Sequence, residues 1–174
     1  MMSRTKWIER KFTFDFPAGW INNIMERLRG TVPRITWMTF PLDEDVLTLK
    51  PDGKWSIKEH IGHLIDLEEL HEGRIDDFMA RQEILRAADM TNAKTAQANH
   101  NERKLEELLS EFSIHRTRFI TRLAELDEET AHFSSLHPRL QVMMRPVDMA
   151  FFTAEHDDHH LASMREVLNF ELRS

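Results

Sequence analysis

Apolar residues recur along this chain at helical spacing rather than in alternation. Trp20, Ile21, Ile24, Met25 and Leu28 fall three or four positions apart, the mark of one face of an α-helix. Pro17 suits the first turn of that helix, Gly30 and Thr31 interrupt it, and Pro33 opens a short continuation through Ile35, Trp37 and Met38. Residues 41–49 read as a connector with one short helical turn, and Pro51-Asp52-Gly53 is a turn signal. Ser56 with Glu59 three residues on forms a capping box, which predicts a second helix over about 57–81. Residues 84–97 are ambiguous, with 89–92 read as loop. Leu105, Leu108, Leu109, Phe112, Phe119, Ile120 and Leu123 predict a third helix over about 101–126. Residues 136–140 are extended or turn-like, because Pro138 disfavours helix at His137. A last helix spans about 146–170. Four principal helices with a long connection between the second and third predict an all-α four-helix bundle.

Composition supports one domain over residues 1–174, with a core from about 16 to 170. The chain has no cysteine, which excludes disulfides, thiolate ligands and a cysteine nucleophile. A net charge of −7 argues against a general nucleic-acid binder. No apolar run approaches the length of about 20 residues that a membrane helix needs. The opening MMSRTKWIERKF lacks an apolar signal-peptide region. The expected location is the cytoplasm, with no membrane and no nucleic acid as partner. What stands out is ten histidines.

Their placement is uneven. At about 100° per residue, His156 and His160 stack one turn apart on the face that carries Met149, Phe152, Met164, Val167 and Phe170, with His159 at its edge. Asp157 and Asp158 point elsewhere. Two imidazoles at i,i+4 can reach one metal ion with bonds of about 2.0–2.1 Å. On the second helix, His60 and His71 lie within the stripe of Ile57, Ile61, Leu64, Leu67, Ile75, Phe78 and Met79, and His63 lies on its flank beside Leu70. One of these can meet His156 and His160 across the bundle, but periodicity does not choose among His60, His63 and His71. A single histidine facing a core is more often a hydrogen-bonded packing residue. A stacked pair is harder to explain so, because each buried polar group without a partner costs a few kcal/mol. His100, His115, His132 and His137 share no spacing and read as ordinary, although His137 is placed to line a mouth of the bundle.

Three stretches resemble a known family. Lys54-Trp55-Ser56-Ile57-Lys58-Glu59-His60-Ile61-Gly62-His63-Leu64 is similar to the W-S-x-x-E-x-x-x-H-L opening of the second helix in DinB-like proteins, the DinB/YfiT superfamily. Glu155-His156-Asp157-Asp158-His159-His160-Leu161 resembles that family's H-x-x-H-H signature, and His137-Pro138-Arg139-Leu140 its HPRL segment. The resemblance covers about 16–168 and implies a four-helix bundle with a long crossover between helices two and three, often a homodimer. It also implies a divalent ion, Ni2+ or Zn2+, on three histidines matching His63, His156 and His160. Characterised relatives include thiol S-transferases and a thiol-dependent isomerase.

The family thus implies a metal-dependent enzyme acting on a small molecule. The leading expectation is an S-transferase using a low-molecular-weight thiol, which must be a cosubstrate because the chain has no cysteine. One alternative is a hydrolase using metal-bound hydroxide. The other is a non-enzymatic, metal-stabilised dimeric stress-response or binding protein. Glu59 and Asp66 are the candidate catalytic residues, to orient a ligand histidine or move a proton. Against this stand two plainer roles, the helix cap for Glu59 and a solvated helix charge for Asp66 and Glu155. Lys58, Arg74 and Arg145 are surface charges unless they line the mouth, where they would meet an acidic cosubstrate.

Overall fold

The computed structural model describes residues 4–171; the first three residues of the N-terminal stretch considered above lie outside them. The chain folds as α1 (Ile21–Arg29), α2 (Thr31–Thr39), α3 (Glu44–Thr48), α4 (Ile57–Met79), α5 (Ala93–Gln97), α6 (Leu105–Ala124), α7 (Glu128–His132), the strands β1 (Ser135–His137) and β2 (Val142–Met144), and α8 (Pro146–Glu171). The broken pair α1–α2 counts as one long element, and with α4, α6 and α8 it makes a four-helix bundle. The break falls at Gly30, as the sequence predicts.

The apolar residues form two clusters at opposite ends of the bundle. One joins Leu28, Ile75, Phe78, Phe119 and Met149. The other joins Ile35, Ile57, Ile61, Phe112 and Met164. Chain direction follows from them. α4 and α6 both run from the second cluster to the first, whereas α1–α2 and α8 run the other way. Two parallel neighbours cannot be joined by a tight turn, so the segment 80–104 returns along the length of the bundle. This is the long crossover.

Between the clusters lies a polar layer. Arg116 of α6 binds Glu68 of α4 through Nε and Nη2 at 3.0 and 2.6 Å. Its Nη2 also donates to Asp157 Oδ1 at 3.1 Å, its Nη1 contacts Oδ2, and Thr31 donates to Oδ2 at 2.7 Å. All four side chains are buried. Burial works against the Arg116 charge, but Asp157 and Glu68 outweigh it and hold the guanidinium protonated. Burial foremost raises Glu68 to about 7, against the pull of Arg116. Asp157 therefore points away from the histidines, as expected, but into this layer.

Other expectations need correction. Met79 and Trp37, placed on apolar faces by spacing, are exposed: Met79 is the last residue of α4, and Trp37 lies on the face of α2 opposite the buried Thr31, Ile35, Met38 and Thr39. The ambiguous segment contains α5, and 135–144 forms a hairpin with Ser135 paired to Met144 and His137 to Val142. Leu136 also bonds the crossover, accepting from Leu85 N at 3.0 Å and donating to Glu83 O at 2.8 Å. At the N-terminus, Trp7, Phe12 and Phe14 pack on the core, ahead of the boundary near 16.

Candidate metal centre

α4 begins where its capping box dictates. The Glu59 amide donates to Ser56 Oγ at 3.1 Å, and the Ser56 amide to Glu59 Oε2 at 2.9 Å. Lys50 takes the other Glu59 oxygen at 2.8 Å. The candidate catalytic carboxylate of Glu59 is therefore held at the cap.

One turn further on, His63 faces His156 and His160 of α8. Nitrogen atoms of these three buried rings lie within 4.8 Å of one another. The partners of each ring decide which nitrogen is presented. His63 Nδ1 meets Thr95 Oγ1 at 3.1 Å, so Nε2 is left. His160 Nδ1 meets His60 Nδ1 at 2.9 Å, and its Nε2 lies 3.1 Å from His156 Nε2. Two donors at ~2.1 Å from a tetrahedral ion are ~3.4 Å apart, so this last spacing suits a shared ion. Periodicity left His60, His63 and His71 open; the structure groups His63 with the α8 pair, puts His60 behind His160, and sets His71 against Phe119.

Burial lowers His63 to about 4, with Asp66 pulling the other way, and lowers His60 to about 3. Burial, then neighbouring imidazoles, hold His156 and His160 well below the usual range. All are neutral at pH 7, the form that binds metal. The donor set therefore fits a divalent ion. His156 Nδ1 is buried without a partner.

Asp66 lies behind His63. Thr95 Oγ1 donates to Asp66 Oδ2 at 2.9 Å and His100 Nε2 to the same oxygen at 2.9 Å. Burial would raise the Asp66 pKa, but the bonds from His100 and Thr95 outweigh it and hold the carboxyl below its usual value. The resulting chain is His63–Thr95–Asp66–His100. Read as ordinary from the sequence, His100 belongs to this support. Gly62 makes room for it: a Cβ there would lie 2.1 Å from His100 Cγ.

A cleft of about 580 Å³ opens beside the histidines, lined by α4, α8, the crossover, the hairpin and the N-terminal segment. Trp55 packs on His63 at 4.8 Å between ring centroids, and Trp7 on His156 at 4.8 Å. Trp7 was missed by the sequence reading, although Phe12, Phe14 and Phe16 alternate as an extended apolar segment does. Of the three basic residues considered for the mouth, only Arg74 lines the cleft. Lys58 is buried against Arg103 O at 2.6 Å and contacts Glu44, and Arg145 pairs with Asp148 at 2.8 Å. Glu155 pairs with Arg27 at 2.8 Å and contacts Arg10.

Bundle and histidine cluster together define a helical protein with a three-histidine site able to hold a divalent ion. The chain belongs to the DinB superfamily, whose sequence model matches residues 27–164. No curated protein sequence matches it. Among solved structures it is similar to YfiT from Bacillus subtilis, with a TM-score of 0.80, 15% identity and 94% of each chain covered. That protein is described as a probable metal-dependent hydrolase with an unusual four-helix bundle topology. The likeness shows that the two share the fold. No helix among the described residues is long and apolar enough to cross a membrane.

Proposed function

We propose that this protein is a metal-dependent hydrolase of small acyl compounds, with the ion held by His63, His156 and His160. The observation that carries this reading is the convergence of three neutral imidazoles beside a cleft large enough for a small molecule. A closed structural site would have no such cleft. The hydrolase described for the similar Bacillus fold supports it further, and no group in the cleft singles out a thiol cosubstrate. The hydrolase therefore displaces the S-transferase as the favoured reading.

A divalent ion on three neutral ligands keeps its full charge, so it polarises carbonyl oxygen and brings the pKa of water toward 7. The chain's own residues do the rest. Thr95 and His60 fix the tautomers of His63 and His160. Asp66 positions His63 through Thr95. Trp7 and Trp55 shield the histidines from bulk water. Glu59 would have to leave the helix cap to move a proton.

The test is metal analysis of untagged protein, with an activity screen across 4-nitrophenyl esters, amides, and thiols paired with electrophiles. His156→Ala is expected to lose the bound metal and at least a hundredfold of ester turnover while keeping its helical circular dichroism. Inert esters and amides beside a thiol-dependent reaction would overturn the hydrolase reading. Global unfolding of the variant would mark the metal as structural.

A further inference from the structure

The cleft has a second polar wall that the metal centre does not use. Arg74 lies on α4 about three turns, or ~16 Å of helix rise, beyond His63. It is buried, yet its only side-chain hydrogen bond among the described residues is from Nε to the Arg86 carbonyl at 3.2 Å. Arg139, carried by the hairpin turn, stacks on Phe152 with its guanidinium carbon 5.6 Å from the ring centroid. Its Nη2 is buried without a partner. Among the described residues neither arginine has an ion-pair partner. Asp77, one helical turn beyond Arg74 on α4, is taken up by Arg86 through bonds of 2.8–3.1 Å.

His137 adds a donor of fixed identity. Its Nδ1 accepts the Leu140 amide at 3.2 Å, so the proton sits on Nε2, and Nε2 is buried without a partner. The Nδ1 of His71 and Oγ1 of Thr153 are likewise buried and unpartnered. All five residues line the one cleft. Buried polar groups are ordinarily satisfied, and an uncompensated buried charge is costlier still. Four such unpartnered atoms on the lining of one cleft, one of them on a guanidinium, together with the buried charge of Arg74, point to a missing partner that accepts hydrogen bonds and carries negative charge. The acidic residue on the lining, Asp89, has its oxygens occupied by Thr91 and the Ala93 amide.

We propose that Arg74, Arg139 and His137 form a carboxylate-binding subsite in this cleft, which selects acyl substrates carrying a free carboxylate away from the bond that is cut. A planar carboxylate matches the guanidinium fork. The donors are all side chains, without the backbone-amide cradle that phosphate sites use. Burial foremost lowers Arg74 to about 10, with Asp77 pulling the other way and the repulsion of Arg139 and Arg86 adding to the lowering, so it stays charged at neutral pH. Burial first, then both arginines, lower His137 to about 4 and keep it a neutral donor. As a statement about substrate this rests on the hydrolase reading; as a statement about anion binding it stands on the cleft alone.

The test uses the full chain as purified, at low ionic strength. Calorimetric titration with monomethyl glutarate is expected to show binding that weakens tenfold or more in Arg139→Gln and less in Arg139→Lys. The kcat/KM of the 4-nitrophenyl monoester of glutarate is expected to exceed that of 4-nitrophenyl valerate at least tenfold, with the preference lost in Arg139→Gln. Equal glutarate binding by wild type and Arg139→Gln would overturn the subsite, because a carboxylate held by the metal alone does not feel Arg139. Tighter binding of inorganic phosphate than of the glutarate ester would overturn the carboxylate assignment. If all esters are inert but binding still depends on Arg139, the hydrolase reading fails and the anion site stands.

Discussion

At the scale of the residue, Asp66 is linked to the histidine cluster through Thr95 and His63. Its carboxylate takes the Thr95 hydroxyl, and Thr95 takes the Nδ1 proton of His63, which turns the ring's lone pair toward His156 and His160. Supports of this kind are worth 10–100-fold in metal affinity. Asp66→Asn is therefore expected to weaken metal binding by roughly that factor while the fold's thermal midpoint without metal moves little. Competition against a chromophoric chelator measures it, and unchanged affinity would remove Asp66 from the site. Gly62→Ala tests the same support from behind, since the added methyl collides with His100; the same assay should show weaker metal binding there too. Part of this was legible. His156 and His160 share a face at i,i+4, and the family resemblance selected His63. A glycine inside a helix costs about 1 kcal/mol relative to alanine, and the reason for Gly62 emerges only in the fold, where His100 packs against it. Nothing local marked Thr95 and His100 as its beneficiaries, because they arrive on the crossover, whose path is set by tertiary packing.

At the scale of the element, the polar layer controls how the helices match up. Arg116 of α6 binds α4 and α8 at the level where the two apolar clusters meet, so a slip of any helix by one turn would strand a buried charge. Removing one member of a buried charge network typically costs about 3–5 kcal/mol, because the remaining charges lose their partner. Arg116→Met is expected to lose about that much in urea unfolding at pH 7. Glu68→Gln should cost far less, since burial already holds that carboxyl near half-protonated at neutral pH. Equal losses for both would mean that Glu68 is fully charged in the fold. The long helices were readable from apolar period and capping: α4 starts after Ser56 and α8 at Pro146, where the sequence places them. The layer itself was not. Glu68, Arg116 and Asp157 lie far apart in sequence, and a helical wheel shows each only as a charge off the apolar stripe. The hairpin was also hidden, because three-residue strands carry too little alternation to register.

At the scale of the whole molecule, stability, metal and pH are one linked system. A homodimer is expected from the family resemblance, and sedimentation at micromolar concentration would check it; the acid response belongs to the chain itself. In the folded protein His63 is lowered to about 4, and His71, His156 and His160 lie well below their usual value of 6.5, in each case through burial first. In the unfolded chain all four take up protons near pH 6.5. Below that pH the unfolded state binds more protons, so their contribution to stability is complete above pH 6.5 and is lost as the pH falls toward 4. Glu68 has the opposite sign: raised to about 7 from 4.5, its contribution is present at low pH and lost as the pH rises through 7. These four histidines against one glutamate contribute a net loss of up to about 4 kcal/mol per pH unit below 6.5, and His60, His137 and His159, lowered by burial to about 3, 4 and 4, add to it. A domain with a total stability of about 5–15 kcal/mol cannot absorb that for long. The chelator-treated protein is therefore expected to unfold with a midpoint near pH 5–6. Metal excludes protons from His63, His156 and His160 and binds only the folded state, so it should move the midpoint downward in proportion to the logarithm of its free concentration. Circular dichroism across pH 4–7, with and without chelator, measures both effects. A metal-free protein with constant stability from pH 6.5 to 5 would show that these histidines are not held neutral by the fold, and the case for a preformed metal centre would fall with it.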